Sequence, residues 1–168
     1  MKITLRELTR EDLPNVQALL ERCSDYLTFE DEEPVRPGAA LELFSERPDG
    51  VEKSHKVLFG IANEAQESVG LFDVLRGYPD PKTLNLGLML LDPASRGKGI
   101  GEKAYLALEE WIISQKFEKI RLGVLVGDSR GLSFWRKMGY RETGEVKAYV
   151  KQNRTLSRDI LVLEKEFV

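Results

Sequence analysis

The run Leu84-Asn85-Leu86-Gly87-Leu88-Met89-Leu90-Leu91 constrains this chain more than any other stretch. Residues 83–91 read as a strand that is apolar on both faces, and such a strand needs cover on both sides. That places it at the centre of a sheet. Gly87 inside it marks a bulge or a close backbone approach. The run leads through Pro93-Ala94-Ser95-Arg96-Gly97-Lys98-Gly99-Ile100-Gly101 into a helix that reaches Gln115. Ile100, Ala104, Leu108, Trp111 and Ile112 form the buried stripe of that helix.

The remaining elements follow from hydrophobic period. Residues 2–8 alternate as a first strand. Thr9 caps a helix, with Asp12 in the capping-box position. Leu13, Val16, Leu19, Leu20 and Cys23 continue at helical spacing. Residues 24–38 read as an acidic loop. Pro37 and Gly38 open a short second helix carrying Ala40, Leu41 and Phe44, and Pro48-Asp49-Gly50 ends it as a turn. Residues 55–62 and 68–76 form a hairpin around Asn63–Glu67. After the glycine-rich segment, Ile120, Leu122, Val124 and Val126 alternate as a strand. Ser129 to Met138 is a helix stopped by Gly139. Residues 140–150 and 155–167 close the chain as two strands. The order β-α-α-β-β-β-α-β-α-β-β is an α/β arrangement around a mixed sheet.

A chain of 168 residues suits one domain, residues 1–168. With one Cys and one His it makes no internal disulfide, no Cys/His zinc cluster and no two-His metal site. An all-carboxylate metal site stays open. The 25 Lys+Arg against 28 Asp+Glu leave a net charge of -3, which argues against nucleic acid as a partner. No apolar run approaches the roughly 18 residues of a membrane span, and the N-terminus lacks an apolar secretory segment. A cytoplasmic protein with reduced thiols and no membrane partner is the expectation.

Between strand and helix, the glycine-rich turn is a phosphate cradle. A helix N-terminus offers unpaired N–H groups and partial positive charge, and glycines let an anion approach the backbone. Arg96 and Lys98 add mobile positive charge. A Walker loop requires Ser or Thr after Gly-Lys, but Gly99 follows Lys98 here. A dinucleotide fingerprint requires a third glycine at Glu102. Both nucleotide readings therefore fail, and a plain connecting turn is what remains beside an anion site.

Arg96-Gly97-Lys98-Gly99-Ile100-Gly101 resembles the Arg/Gln-x-x-Gly-x-Gly/Ala signature of the GNAT N-acetyltransferase superfamily. Asp128-Ser129-Arg130-Gly131-Leu132-Ser133-Phe134-Trp135-Arg136-Lys137-Met138-Gly139-Tyr140 is similar to the family's Asn-x-x-Ala-x-x-Phe-Tyr-x-x-x-Gly-Phe block. The resemblance implies a mostly antiparallel mixed sheet, flanked by helices and splayed where acetyl-CoA binds. It implies a pyrophosphate on the amides of Arg96, Gly97, Lys98, Gly99, Ile100 and Gly101. The pantetheine arm would run beside Met89, Leu90 and Leu91, with Asp128 at the start of the next helix. The implied activity is acetyl transfer from acetyl-CoA to a primary amine by direct attack, without metal. The acceptor is a small-molecule or peptide amine, and a homodimer is in keeping with the family. A non-catalytic acyl-CoA-binding module is the alternative.

Three positions depart from the family pattern. Trp135 stands where a tyrosine acid is usual, Asn85 where a glutamate is frequent, and Asp128 where an asparagine is expected. Tyr140 falls on the family's aromatic packing position. A proton acceptor must therefore come from elsewhere. Asp73 interrupts the apolar strand Val69–Leu75, and alternation puts it on the face of Val69, Leu71 and Leu75. A carboxylate among apolar neighbours can act as a base; the other readings are a strand-end carboxylate paired with Arg76 and a water chain. Residues Glu30 to Glu33 either attract a cationic acceptor or form a solvated charge run. Tyr26 and Phe29 line an acceptor pocket or pin the loop. His55 reads as a surface position.

Overall fold

The computed structural model describes residues 2–151 and 154–167. Strands β1 (Thr4–Glu7), β2 (Lys56–Ala62), β3 (Ser68–Arg76), β4 (Thr83–Leu91), β5 (Lys119–Leu125), β6 (Arg141–Lys151) and β7 (Arg154–Glu166) make one sheet. Its order is β1-β2-β3-β4-β5-β7-β6, so the doubly apolar β4 is central. Among the described pairs only β4 with β5 is parallel. Helices α1 (Leu13–Arg22), α2 (Ser24–Asp31), α3 (Ala39–Ser45), α4 (Ile100–Ser114) and α5 (Ser129–Lys137) flank the sheet. The mixed, mostly antiparallel α/β architecture expected from the sequence is the one observed.

Two cores lie on opposite faces of the sheet. On one, Ile100, Ala104, Leu108 and Ile112 of α4 pack on Phe72, Leu84, Leu86, Ile120 and Leu163. On the other, Val16, Leu19 and Leu20 of α1, Leu27 of α2 and Leu43 of α3 pack on Leu58, Leu71 and Leu90. The capping box forms as its residue pattern requires: Thr9 N–H donates to Asp12 Oδ2 at 2.8 Å.

Gly87 is the bulge. Asp73 faces Leu88 across the β3–β4 ladder, but its neighbour Val74 faces Leu86, so Gly87 is the extra residue. The insertion flips the side-chain alternation. Leu84 and Leu86 face the α4 core, and so do Met89 and Leu91, whereas Leu88 and Leu90 turn to the α1–α3 core. β4 pairs with β5 only from Thr83 to Leu86. Beyond Leu86 the two strands part, while β5 stays paired with β7 up to Leu125. This is the expected splay.

The loop expected over 24–38 is corrected in its first half. Ser24–Asp31 is a helix, separated from α1 at Cys23, whose ψ of 20° breaks the α1 spiral. Only Leu27 of α2 is fully buried, so the segment lacks the apolar stripe that marks a helix in sequence. Beside Leu27, polar contacts to other elements hold it. β5 likewise stops at Leu125, which is buried, and leaves Val126 exposed.

Candidate active site

Where β4 leaves β5, the sheet opens into a cleft of about 270 Å³. Met89 and Leu91 line it from β4, Gly101 from α4, and Asp128 from the start of α5. The β4 edge from Gly87 to Leu91 has no strand partner on this side among the described residues, so an extended ligand has backbone to pair with. Leu90 and Ile100 belong to the backbone frame only, because their side chains are 2% and 5% exposed in the two cores.

The turn before α4 is shaped for an anion. Gly97 and Gly99 have φ of 75° and 78°, the left-handed region that glycine enters without penalty. A side chain at either position would meet nothing within 4 Å, so the turn faces open space. No side chain caps the α4 N-terminus. Its amides therefore remain available to an anionic ligand. Lys98 is exposed on this turn. Arg96 is not mobile as expected: its guanidinium grips Asp25 of α2 at 2.7 and 3.3 Å, and its Nε donates to the Leu91 carbonyl at 3.0 Å. It clamps α2 to the end of β4. Asp128 caps α5 by accepting the Gly131 N–H at 2.9 Å.

A second, larger cavity of about 690 Å³ opens on the other side of the bulge. Gly87 and Leu88 line both spaces, so the two meet at the bulge. Asp73 lines this cavity, and a Cβ built on Gly87 would lie 3.4 Å from Asp73 Oδ2. Its partner is Lys56, not Arg76: Lys56 Nζ lies 2.8 Å from Asp73 Oδ2 and 2.7 Å from the Glu46 carbonyl. Burial pushes the Asp73 carboxyl up to about 6, against the lowering pull of Lys56. The expected company of Asp73 is also partly corrected. Leu71 shares its side, but Val69 packs in the opposite core, because a register shift at the start of the β2–β3 ladder reverses the alternation there.

The acidic segment is not a solvated run. Asp31 pairs with Lys151 at 2.9 Å, Glu32 accepts from Ser157, and Glu33 pairs with Arg154. Arg158 donates to the Phe29 carbonyl at 3.0 Å and stacks over its ring. The segment thus docks the β6–β7 hairpin on α2. Glu30 differs. Its Oε1 accepts the Tyr149 hydroxyl at 2.7 Å, and the residue lines the larger cavity. Tyr26, one turn earlier on the same helix, lines the cleft instead.

Other positions are structural. Trp135 lines the cleft and stacks edge-on against Tyr105 and Tyr140. Tyr140 is 4% exposed and receives the Tyr105 hydroxyl at 3.0 Å. Its burial drives its hydroxyl well above the ordinary range. Exposed His55 meets the Arg76 carbonyl through Nδ1 at 2.9 Å. Cys23 is fully buried and donates to the Leu91 carbonyl at 3.3 Å.

The acetyltransferase (GNAT) family model matches residues 14–140. The chain belongs to the GNAT acetyltransferase family. It is an acetyl-CoA-dependent N-acetyltransferase. The fold agrees with solved GNAT structures. A spermidine N-acetyltransferase from Vibrio cholerae in complex with CoA and spermine aligns with a TM-score of 0.76 at 17% identity, covering 98% of this chain and 95% of that one. An acetyltransferase from Thermus thermophilus aligns at 0.74 and 17% identity, covering 99% and 98%. A ribosomal-protein-alanine N-acetyltransferase from Brucella melitensis aligns at 0.71 and 20% identity, covering 98% and 99%. No curated protein sequence matches the chain.

Within this GNAT frame, Lys56 and Tyr149 escaped the sequence reading, and Glu30 entered it only as part of the acidic run from Glu30 to Glu33. The hairpin loop Asn63–Glu67 carried no sufficient signal for Lys56: pairing strictly outward from it sets Leu58 opposite Phe72, and only the register shift beside Val69 brings Leu58 opposite Asp73 and Lys56 onto the same face. Nothing local marked Tyr149, which sits in a mostly exposed, charged strand. No described helix is long and apolar enough to cross a membrane.

Proposed function

We propose that the acetyl donor occupies the cleft between β4 and β5, that the primary amine occupies the cavity on the other side, and that the two react at the bulge. The observation that carries this reading is the sharing of Gly87 and Leu88 by both spaces. A linear donor laid along the β4 edge, with its diphosphate at the α4 N-terminus, points its far end toward the same residues. The cofactor supplies the acetyl thioester.

The chain's own residues do the rest. The turn from Arg96 to Gly101 holds the donor's charge through backbone N–H groups. Asp73 takes the amine proton at its carboxylate, directly or through one water, because its carboxyl titrates at about 6 and is ionised at neutral pH. An N–C bond forms as the C–S bond breaks, and the departing thiolate takes its proton from solvent, since Trp135 has no acidic proton to give. Unpaired backbone N–H groups of the β4 edge are suited to stabilise the developing oxyanion. This reading takes residues 1–168 as one cytoplasmic domain. It acts on a small-molecule or peptide amine, with neither nucleic acid nor membrane as partner.

An amine panel with acetyl-CoA, read by free-thiol release and product mass, tests the proposal. Acetylated product on at least one primary amine is expected. Tight acetyl-CoA binding with no product on any amine overturns it in favour of a binding module.

A further inference from the structure

One carboxylate in the larger cavity is only half supplied with donors. Glu30 Oε1 accepts the Tyr149 hydroxyl, but Oε2 is closed to solvent and has no hydrogen-bond partner among the described residues. A buried carboxylate oxygen without a donor is costly. Its neighbours Asp31, Glu32 and Glu33 do not share this condition, since each is engaged by the hairpin. The charged and titratable groups around Glu30 are Tyr149 and Lys151 of β6, Asp31 of α2 and Glu46 after α3. Lys151 and Tyr149 favour the ionised form, yet burial holds the carboxyl up at about 7.

The same cavity has a second carboxylate, Asp73, beside the bulge. Its lining holds Glu30, Glu42, Glu46, Asp49 and Asp73 against Arg47, Lys56 and Lys151. Each cation already has work. Lys56 pairs with Asp73, Lys151 pairs with Asp31, and Arg47 donates to the Ser45 and Val51 carbonyls. The balance of charge is negative. Leu43, Leu75, Leu88 and Val150 supply apolar wall in the same space. The cavity therefore combines two separate carboxylates with surface suited to an alkyl chain.

We propose that the acceptor is an alkyl diamine, with its distal ammonium held by Glu30 while the reacting amine lies beside Asp73. The proposal rests on the acetyl-transfer reading and deepens it. The distal ammonium pairs with the Glu30 carboxylate from the cavity that the residue lines, and Tyr149 keeps that carboxylate in place. A monoamine of the same length has no second ammonium to offer Glu30.

Steady-state kinetics of the full chain with acetyl-CoA test this, using putrescine against n-butylamine at pH 8, where Glu30 is ionised. We expect kcat/KM for putrescine to exceed that for n-butylamine by at least about tenfold, as a charge-assisted hydrogen bond requires. In Glu30→Gln that ratio shrinks by about tenfold, through KM for putrescine. Equal kcat/KM for the two amines overturns the proposal, as does an unchanged ratio in the variant. Should Glu30→Gln fail to fold, the wild-type comparison decides alone. Turnover of monoamines without a diamine preference sinks only the role of Glu30. Turnover of no amine sinks the transfer reading as well.

Discussion

Lys56 Nζ and Asp73 Oδ2 lie 2.8 Å apart beside the bulge in the central strand. Their side chains are only 6% and 13% exposed, so the ammonium acts on the carboxyl at short range and out of water. Burial raises the Asp73 carboxyl to about 6 although Lys56 pulls it down. If Asp73 accepts the amine proton, the rate climbs as pH rises through about 6. Lys56→Met removes the main opposing pull and leaves only the weaker one of Lys151, so the midpoint of the pH–rate profile moves upward. Asp73→Asn flattens this limb. It also strands a buried ammonium and costs about 3 kcal/mol of stability, toward the low end for a broken buried pair. A pH–rate profile unchanged in Lys56→Met moves the base role to water.

Gly99→Glu places a carboxylate and its bulk in the cradle. Because φ at Gly99 is 78°, any L side chain there also costs about 1 kcal/mol. Gly99→Ala carries the same backbone cost without the charge and serves as the control. In the wild type, acetyl-CoA at about 100 times its dissociation constant stabilises by roughly 2.7 kcal/mol. That thermal shift vanishes in Gly99→Glu and survives, reduced, in Gly99→Ala. An undiminished shift in Gly99→Glu excludes the turn as the anion site.

Tyr140→Phe removes the hydroxyl that receives the Tyr105 proton at 3.0 Å inside the α4 core. Loss of this buried hydrogen bond costs about 1 kcal/mol and lowers Tm. The pH–rate profile keeps its shape, because Tyr140 lies in the packing and not in either cavity. A lost alkaline limb in this variant would make Tyr140 the acid.

Stability depends on pH with a definite sign. Glu30 titrates at about 7 in the folded chain against 4.5 ordinarily, and Asp73 at about 6 against 3.8. Both bind a proton more tightly when folded. Their contribution is complete below the unfolded values and is lost as pH rises through about 6 and about 7. The ligand-free protein therefore melts higher at pH 5 than at pH 8. Glu30→Gln reduces that difference, and calorimetry at the two values measures it. The same slope in the variant would place Glu30 at an ordinary pKa.

The central strand, the turn and helix after it, and the bulge at Gly87 were legible in the chain because each is written locally. Doubly apolar residues demand the sheet centre, and positive-φ positions demand glycine. The capping of α5 by Asp128 and the burial of Cys23 were legible for the same reason. The helix Ser24–Asp31 was not, since its support lies in Arg96, Lys151 and Arg154, remote in sequence.

Local residue patterns specify most of the frame: every element but α2, the glycine-rich turn before α4 and the departures from the family's motif at Asn85 and Trp135. Packing sets the surroundings of the cavity carboxylates. Lys56 reaches Asp73 through hairpin register, and Tyr149 reaches Glu30 across 119 residues of chain. Whether a carboxylate is a solvated surface charge or a buried, half-satisfied one depends on what folds over it. Burial and partners are properties of the packed molecule, and local composition does not carry them.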